Sequence, residues 1–278
     1  MSIVFKNDFS QKNWRLSIHM KLSVILITKN ESNNILECLD SVKFADEWII
    51  VDSGSIDDTV AKARSFGAKV TETDWPGFGP QKNRALDAAT GDWILSIDAD
   101  ERITPELADE IMNVIHSPDP ADAYEILRKG WYCGKFMNHG DWSKDYVVRL
   151  FKRGSARFTE DKVHERLVVS GKIRKLGSTM LHYSFMNFSQ VIQTMDRYSE
   201  LSAEQKFQQG KKAGVGTALG HGLWAFIRCY LIKGGFLDGG HGLALAISNA
   251  EGSYYRYLKI WQMHQAEKDR QNSKQTGQ

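Results

Sequence analysis

Residues 22–28, Leu-Ser-Val-Ile-Leu-Ile-Thr, form an almost unbroken run of apolar and β-branched side chains. Such a run fits a strand covered on both faces, not one half open to water. Shorter runs of the same kind recur at 47–51, 68–71 and 92–97. Between the first three, residues 33–42 and 57–66 have helical spacing, the second with Asp57 placed to cap free amides and Gly67 placed to end it. Parallel strands need crossover connections, so a β-α-β-α-β order confines this half of the chain to an α/β sheet. After the fourth run, Thr104 and Pro105 read as the cap and first residue of another helix.

The pattern then loosens. From 121 to about 183 the strand-like pieces YEILR, YVVRLF and RLVV stand between charged turns, which predicts antiparallel or mixed additions to the sheet. Beyond 185 the texture turns helical: Phe188, Val191, Ile192, Met195 and Tyr198 fall at helix spacing, followed by apolar, glycine-containing segments at 213–232 and 243–261. The expected division is an N-terminal extension at 1–20, an α/β domain at 21–185, a helical region at 186–264 and a disordered tail at 265–278, where apolar residues run out. Met20 directly precedes the first strand, so the start codon, Met1 or Met20, stays open.

Composition removes several classes of function. With 36 Lys+Arg against 34 Asp+Glu the net charge is +2, too small for binding nucleic acid by bulk phosphate attraction. Cys38, Cys133 and Cys229 are odd in number, far apart and outside any zinc-binding spacing, so neither a disulfide framework nor a zinc site is expected. No stretch has the length of a signal peptide's apolar core or of an uninterrupted spanning segment, and a cytoplasmic body is expected.

The sharpest chemical signal is Asp98-Ala99-Asp100, directly after the fourth apolar run. Alternation along extended backbone can put both carboxylates on one side, and two hard oxygen ligands suit Mg²⁺ or Mn²⁺ shared with phosphate oxygens. A solvated turn explains an isolated Asp-x-Asp equally well, so its surroundings decide. Thr28, Lys29, Asn30 and Glu31 end the first strand; Asp52 and Ser53 end the second; all fall on the carboxyl edge, where open α/β sheets bind ligands. Their short polar side chains can bond a base and ribose, with Asp52 able to accept from a pyrimidine imide, although Asp, Ser and Gly are also ordinary turn residues. Asp57 and Thr59 read equally as structural. A glycine loop, Gly77-Phe78-Gly79, leads into a helix presenting Lys82 and Arg84 near its positive end, where a diphosphate could lie.

Together, ILITKNE, IIVDSGSIDDT, GPQKNRAL and LSIDADE, in this order, resemble the nucleotide-sugar domain of family 2 glycosyltransferases over residues 21–183. RLFKRG, VHERL and KGGFLDG are similar to the bacterial branch that builds the lipopolysaccharide core, the β-1,4-glucosyltransferases using UDP-glucose. The resemblance implies a GT-A fold, a Rossmann-like mixed sheet flanked by helices, with a C-terminal helical appendage. It also implies a divalent cation at Asp98 and Asp100, and transfer with inversion of a hexose from a nucleoside diphosphate. The family's base usually stands in a Glu-Asp pair, and the nearest counterpart is taken to be Val163-His164-Glu165. The role passes to Glu165, with Asp145 and Asp161 as weaker candidates and His164 as a metal or phosphate contact. A salt bridge of Glu165 with Arg149 or Arg166 is the plain alternative. Trp131, Tyr132 and Trp142 are candidates for stacking on sugar rings.

Leu223, Trp224, Phe226, Ile227, Tyr230 and Leu231, flanked by Arg228 and Lys233, have the composition of an interfacial helix. That places the expected enzyme at the cytoplasmic face of the inner membrane, beside a glycolipid or lipopolysaccharide acceptor. A helix packed on the catalytic domain or on a second copy reads almost as well. A nucleotidyltransferase is the enzymatic alternative, and TKNESNN lacks the glycine-rich, basic start that a triphosphate needs. A non-catalytic nucleotide-sugar-binding scaffold is the other.

Overall fold

The computed structural model describes residues 20–160 and 166–276. Asp161, His164 and Glu165 therefore lie outside the described residues.

The first half alternates as its sequence demands: β1 (Leu22–Thr28), α1 (Ile35–Ser41), β2 (Glu47–Asp52), α2 (Thr59–Phe66), β3 (Lys69–Glu72), α3 (Phe78–Ala88) and β4 (Trp93–Ser96). Then follow β5 (Glu101–Ile103), α4 (Pro105–Ile115), β6 (Ala123–Tyr132), β7 (Lys135–Phe136), β8 (Tyr146–Lys152), β9 (Ala156–Phe158), β10 (Leu167–Val169) and β11 (Ile173–Phe185). The main sheet has nine strands in the order β3-β2-β1-β4-β8-β6-β11-β5, with β7 paired to β6. β3, β2, β1 and β4 are parallel, β8 runs antiparallel to both β4 and β6, and β11 is parallel to β6. This is the mixed, helix-flanked sheet of a GT-A fold.

Both faces of the parallel half are covered. Leu22, Val24 and Leu26 point to one core with Ile35, Leu39 and Trp93, while Ile25 joins Ile49, Ala85 and Phe151 on the other. Burial of each such large aliphatic side chain contributes roughly 1.5–3 kcal/mol, which is why β1 is apolar on consecutive positions. Thr104 caps α4 by accepting from the Leu107 amide at 3.2 Å, with Pro105 at the first position. Gly67 ends α2 at φ 103°. Gly91, at the turn into β4, cannot carry a side chain, because a Cβ there would stand 2.6 Å from Ser23 Oγ.

Beyond β11 come α5 (Phe188–Gln208), α6 (Val215–Ile227), a π-helical turn (Arg228–Ile232), a 3-10 turn (Gly235–Asp238) and α7 (Gly240–Thr276). Asn187 caps α5 through the Gln190 amide at 3.0 Å. This helical region shares a core with the sheet: Tyr132 and Met137 pack with Val191, Cys229, Leu245 and Ala246. Residues 265–276, read from composition as a disordered tail, continue α7. Their Gln, Ala, Glu, Lys and Arg favour helix, and extending an existing helix avoids the cost of nucleation.

Candidate active site

The carboxyl edge of β1 and β4 opens into a cleft of about 590 Å³ whose walls include Thr28, Glu31, Lys82, Asp98, Asp100 and His182. The two carboxylates of the Asp-Ala-Asp turn thus face one space, each held by a different neighbour. Asp98 accepts from Arg149 Nη2 at 2.5 Å and lies 3.4 Å from Lys82 Nζ. Asp100 Oδ2 stands 3.1 Å from His182 Nε2, whose other ring nitrogen meets Ser184 Oγ at 2.9 Å. His182 comes from β11, which pairs antiparallel with β5 directly after the turn, so sheet register delivers the imidazole.

Beneath the turn lies a buried ion network. Glu101, 0% exposed, accepts from Arg149 at 2.5 Å and from the Asp98 amide at 2.9 Å. Arg128 joins Glu101 at 3.4 Å to Asp145 at 2.8 Å. Burial alone would raise both acids. At Asp98 the Arg149 and Lys82 charges overturn that and hold the carboxyl well below its usual range. At Glu101 burial wins, reinforced by the Asp98 charge, and the carboxyl is pushed up. Glu31 is likewise raised by burial.

Other expected donor contacts divide by depth. Asp52 is fully buried; Thr28 Oγ1 and Ser55 Oγ donate to one of its oxygens, and the Gly54 and Ser55 amides to the other. It builds the loop behind the cleft, as Ser53 does by accepting from Gln81 at 2.9 Å. Asn30, at φ 58°, ties the β1 loop to the β2 loop through the Ser55 hydroxyl and the Ile56 amide. Asp57 and Thr59 serve the same joint, with the Glu31 and Ser32 amides donating to them. Arg84 turns to Asp74 at 2.8 Å and to Thr73 at 2.7 Å, outside the cleft walls. Asp145 also stands outside them, paired to Arg128.

Sequence reasoning missed His182, Arg128, Glu101 and the exposed pair Trp75 and Phe78, whose rings meet edge to face 4.8 Å apart at the cleft mouth. The last had a signal: two aromatics in a Pro-Gly loop have no core to fill. Of the expected stacking aromatics, Tyr132 is wholly buried and packs edge-on against Trp142, Phe185 and Phe188, while Trp131 packs on Phe136 and Tyr183. Asp141 is held by Arg228 at 2.8 Å and Lys233 at 2.9 Å, anchoring the helical region.

The mixed α/β sheet thus sets the Asp98-Ala99-Asp100 turn and the Lys82 side chain against one cleft at the carboxyl edge of its strands. The glycosyl transferase family 2 model matches residues 23–166, and the chain belongs to that family. An uncharacterized glycosyltransferase of Rickettsia conorii is 33% identical over 262 residues, covering 88% of this chain and 91% of the relative. The lipopolysaccharide core biosynthesis glycosyltransferase LpsC of Rhizobium meliloti is 28% identical, covering 88% and 93%. Among solved structures, glucosyl-3-phosphoglycerate synthase of Mycobacterium tuberculosis, with Mn²⁺, UDP-glucose and phosphoglyceric acid, aligns at TM-score 0.36 and 27% identity over 40% of this chain and 44% of that one.

Proposed function

We propose that this transferase moves a hexose, glucose from UDP-glucose, to an inner-core sugar of lipopolysaccharide or a related glycolipid, with inversion at the anomeric carbon. The observation that carries the reading is the convergence of Asp98, Asp100, His182 and Lys82 on one cleft at the carboxyl edge of β1 and β4. The full-length similarity to a lipopolysaccharide core glycosyltransferase supports the acceptor class.

The donor set fits a divalent cation. Two carboxylates at one cleft wall are hard oxygen ligands that Mg²⁺ or Mn²⁺ accepts, and the adjoining imidazole favours Mn²⁺ of the two. Among the described residues no cluster of three or more His, Cys, Asp and Glu side chains is arranged to hold a metal by itself. The remaining positions would then fall to diphosphate and water. Asp98 and Asp100 would hold the ion, with His182 beside Asp100; when bound, it neutralises charge developing on the departing diphosphate. Lys82 adds a fixed positive charge on the same wall, and Arg149 keeps Asp98 ionised and oriented. Thr28 and Glu31 face the donor, with Asn30, Asp52 and Ser53 fixing the loops behind them. Glu165 takes the acceptor proton as general base; Asp161 and Asp145 are the alternates, and His164 is a further metal or phosphate contact.

The helical region supports attachment to the cytoplasmic face of the inner membrane. Leu219, Leu223, Trp224, Leu231, Ile232 and Leu237 are all more than half exposed. Phe226 and Tyr230 pack inward, so the surface facing lipid is narrower than composition implies. Val215–Ile232 is long and apolar enough to cross a membrane by length and composition, but Gly222 packs tightly against Tyr254 of α7 and His221 stacks on Tyr257 at 3.8 Å. A helix held along one side this way lies on a bilayer, with Lys211 and Lys212 available to anionic headgroups. Incubation with a panel of nucleotide sugars and core oligosaccharide, read by mass, tests the reading; UDP-glucose is the expected donor, and transfer from none of them refutes it.

A further inference from the structure

A second, smaller groove opens between α5 and α7. Its volume is about 190 Å³, and its walls include Trp142, Met195, Tyr198, Asn249, Ser253 and Arg256. Tyr198 also lines the large cleft, so the two spaces meet at one side chain.

Arg256 is the unusual member. Its Nε is buried without a hydrogen-bond partner, as are those of Arg102, Arg149 and Arg228, but unlike theirs its guanidinium is in none of the ion pairs among the described residues. The neighbouring cations are paired: Arg228 to Asp141 at 2.8 Å, and Lys259 to Asp196 at 2.7 Å and Glu200 at 2.9 Å. A guanidinium with no carboxylate beside it can take an oxyanion in the groove through its Nη groups, in the planar geometry that suits carboxylate and phosphate. The other walls supply the Trp142 and Tyr198 rings, with the Ser253 hydroxyl donating to the His221 carbonyl at 3.3 Å and the Asn249 amide to Asp141 at 3.3 Å. Those features match a pyranose ring, with its apolar C–H face and polar rim, better than a purely apolar ligand.

We propose that this groove is the acceptor subsite and that Arg256 selects an acceptor sugar carrying a carboxylate or phosphate substituent. The inference rests on the transferase reading for its place in the reaction. Arg256 binds substrate and takes no part in bond making.

The test is direct binding to the full chain, with UDP and Mg²⁺ present, of three probes: methyl glucuronide, glucose 6-phosphate and neutral methyl glucoside. At least one charged probe should bind about tenfold or more tighter than the neutral one, and the better of the two identifies the anion. R256Q should erase that preference, R256K should keep part of it, and both should melt as the wild type does, because no internal partner is lost. In transfer assays R256Q should raise the acceptor KM about tenfold with the donor KM unchanged. Equal binding of charged and neutral probes by the wild type, or an intact preference in R256Q, overturns the proposal. If the Arg256-dependent preference holds but no nucleotide sugar is ever turned over, the anion subsite stands and the transferase reading fails.

Discussion

Arg149 sits 6% exposed between two carboxylates, bonding Glu101 and Asp98 at 2.5 Å each. Replacing it with methionine keeps much of the volume and removes the charge, leaving wholly buried Glu101 with Arg128 alone at 3.4 Å and Asp98 with Lys82 at 3.4 Å. Breaking a buried pair by deleting one partner costs about 3–5 kcal/mol. At about 2–4 °C per kcal/mol for a domain of this size, R149M should melt about 6–20 °C lower. The exposed pair Arg157–Asp87, each partner 59% exposed, is the control, and R157M should cost under about 1 kcal/mol. Urea unfolding at pH 7.5 and pH 5 reads both variants. The pH adds a sign. Glu101 is raised by burial, so its contribution is favourable below the unfolded carboxyl pKa and is lost as pH rises through its folded value. Without Arg149 that folded value climbs further, so the deficit should shrink between pH 7.5 and pH 5. Asp98 has the opposite sign: held low by Arg149 and Lys82, it loses its contribution only under more acid conditions. An R149M deficit no larger than that of R157M at pH 7.5 would show that the network is not what holds these buried charges.

Asp100→Asn should lower transfer by two orders of magnitude or more and weaken cation activation, whereas H182Q should shift the cation concentration giving half-maximal rate; titration with Mn²⁺ and Mg²⁺ reads both, and unchanged cation dependence in each counts against a metal at this wall. Glu165→Gln should keep donor binding but lose about 10²–10⁴-fold in turnover; calorimetry with UDP alongside rate assays separates this from a donor-site role, and near-normal turnover moves the base to Asp161 or Asp145. Paired substitution L223S and W224S, both exposed, should weaken binding to anionic vesicles about tenfold with melting unchanged. Flotation measures it, and undiminished vesicle binding would assign these side chains to contact with another protein.

The parallel half of the sheet was legible because its buried strands read as apolar on consecutive positions and because Gly67 ends α2 and Thr104-Pro105 opens α4. β11 was not. Its first five residues, Ile-Arg-Lys-Leu-Gly, are mostly exposed, and its later part carries Ser178, His182 and Ser184, so neither alternation nor an apolar run marks it. Without a marked β11 nothing in the sequence brings His182 to Asp100, whereas His164 stands in a motif of its own, Val163-His164-Glu165. β5 has three residues and depends on β11 for pairing. The Asp-Ala-Asp turn was legible because local order and strand ends fix it. The Arg149–Glu101–Arg128 network beneath it joins β8, β5 and β6, a juxtaposition that exists only after the strands cross over. Tyr132 and Trp142 look like sugar platforms in sequence, but burial against the helical region claims the first entirely.

Transfer of a sugar from a nucleotide donor to a core acceptor at the Asp98–Asp100 cleft, as proposed, leaves a product whose linkage can be read. The most direct measurement is NMR and mass analysis of deacylated lipopolysaccharide core after incubation with UDP-glucose and Mn²⁺ or Mg²⁺. The account predicts one added hexose in β linkage, UDP released in equal amount, and no product with excess chelator or with Asp98→Ala. An α-linked product, or full turnover by Asp98→Ala in chelator, would contradict it.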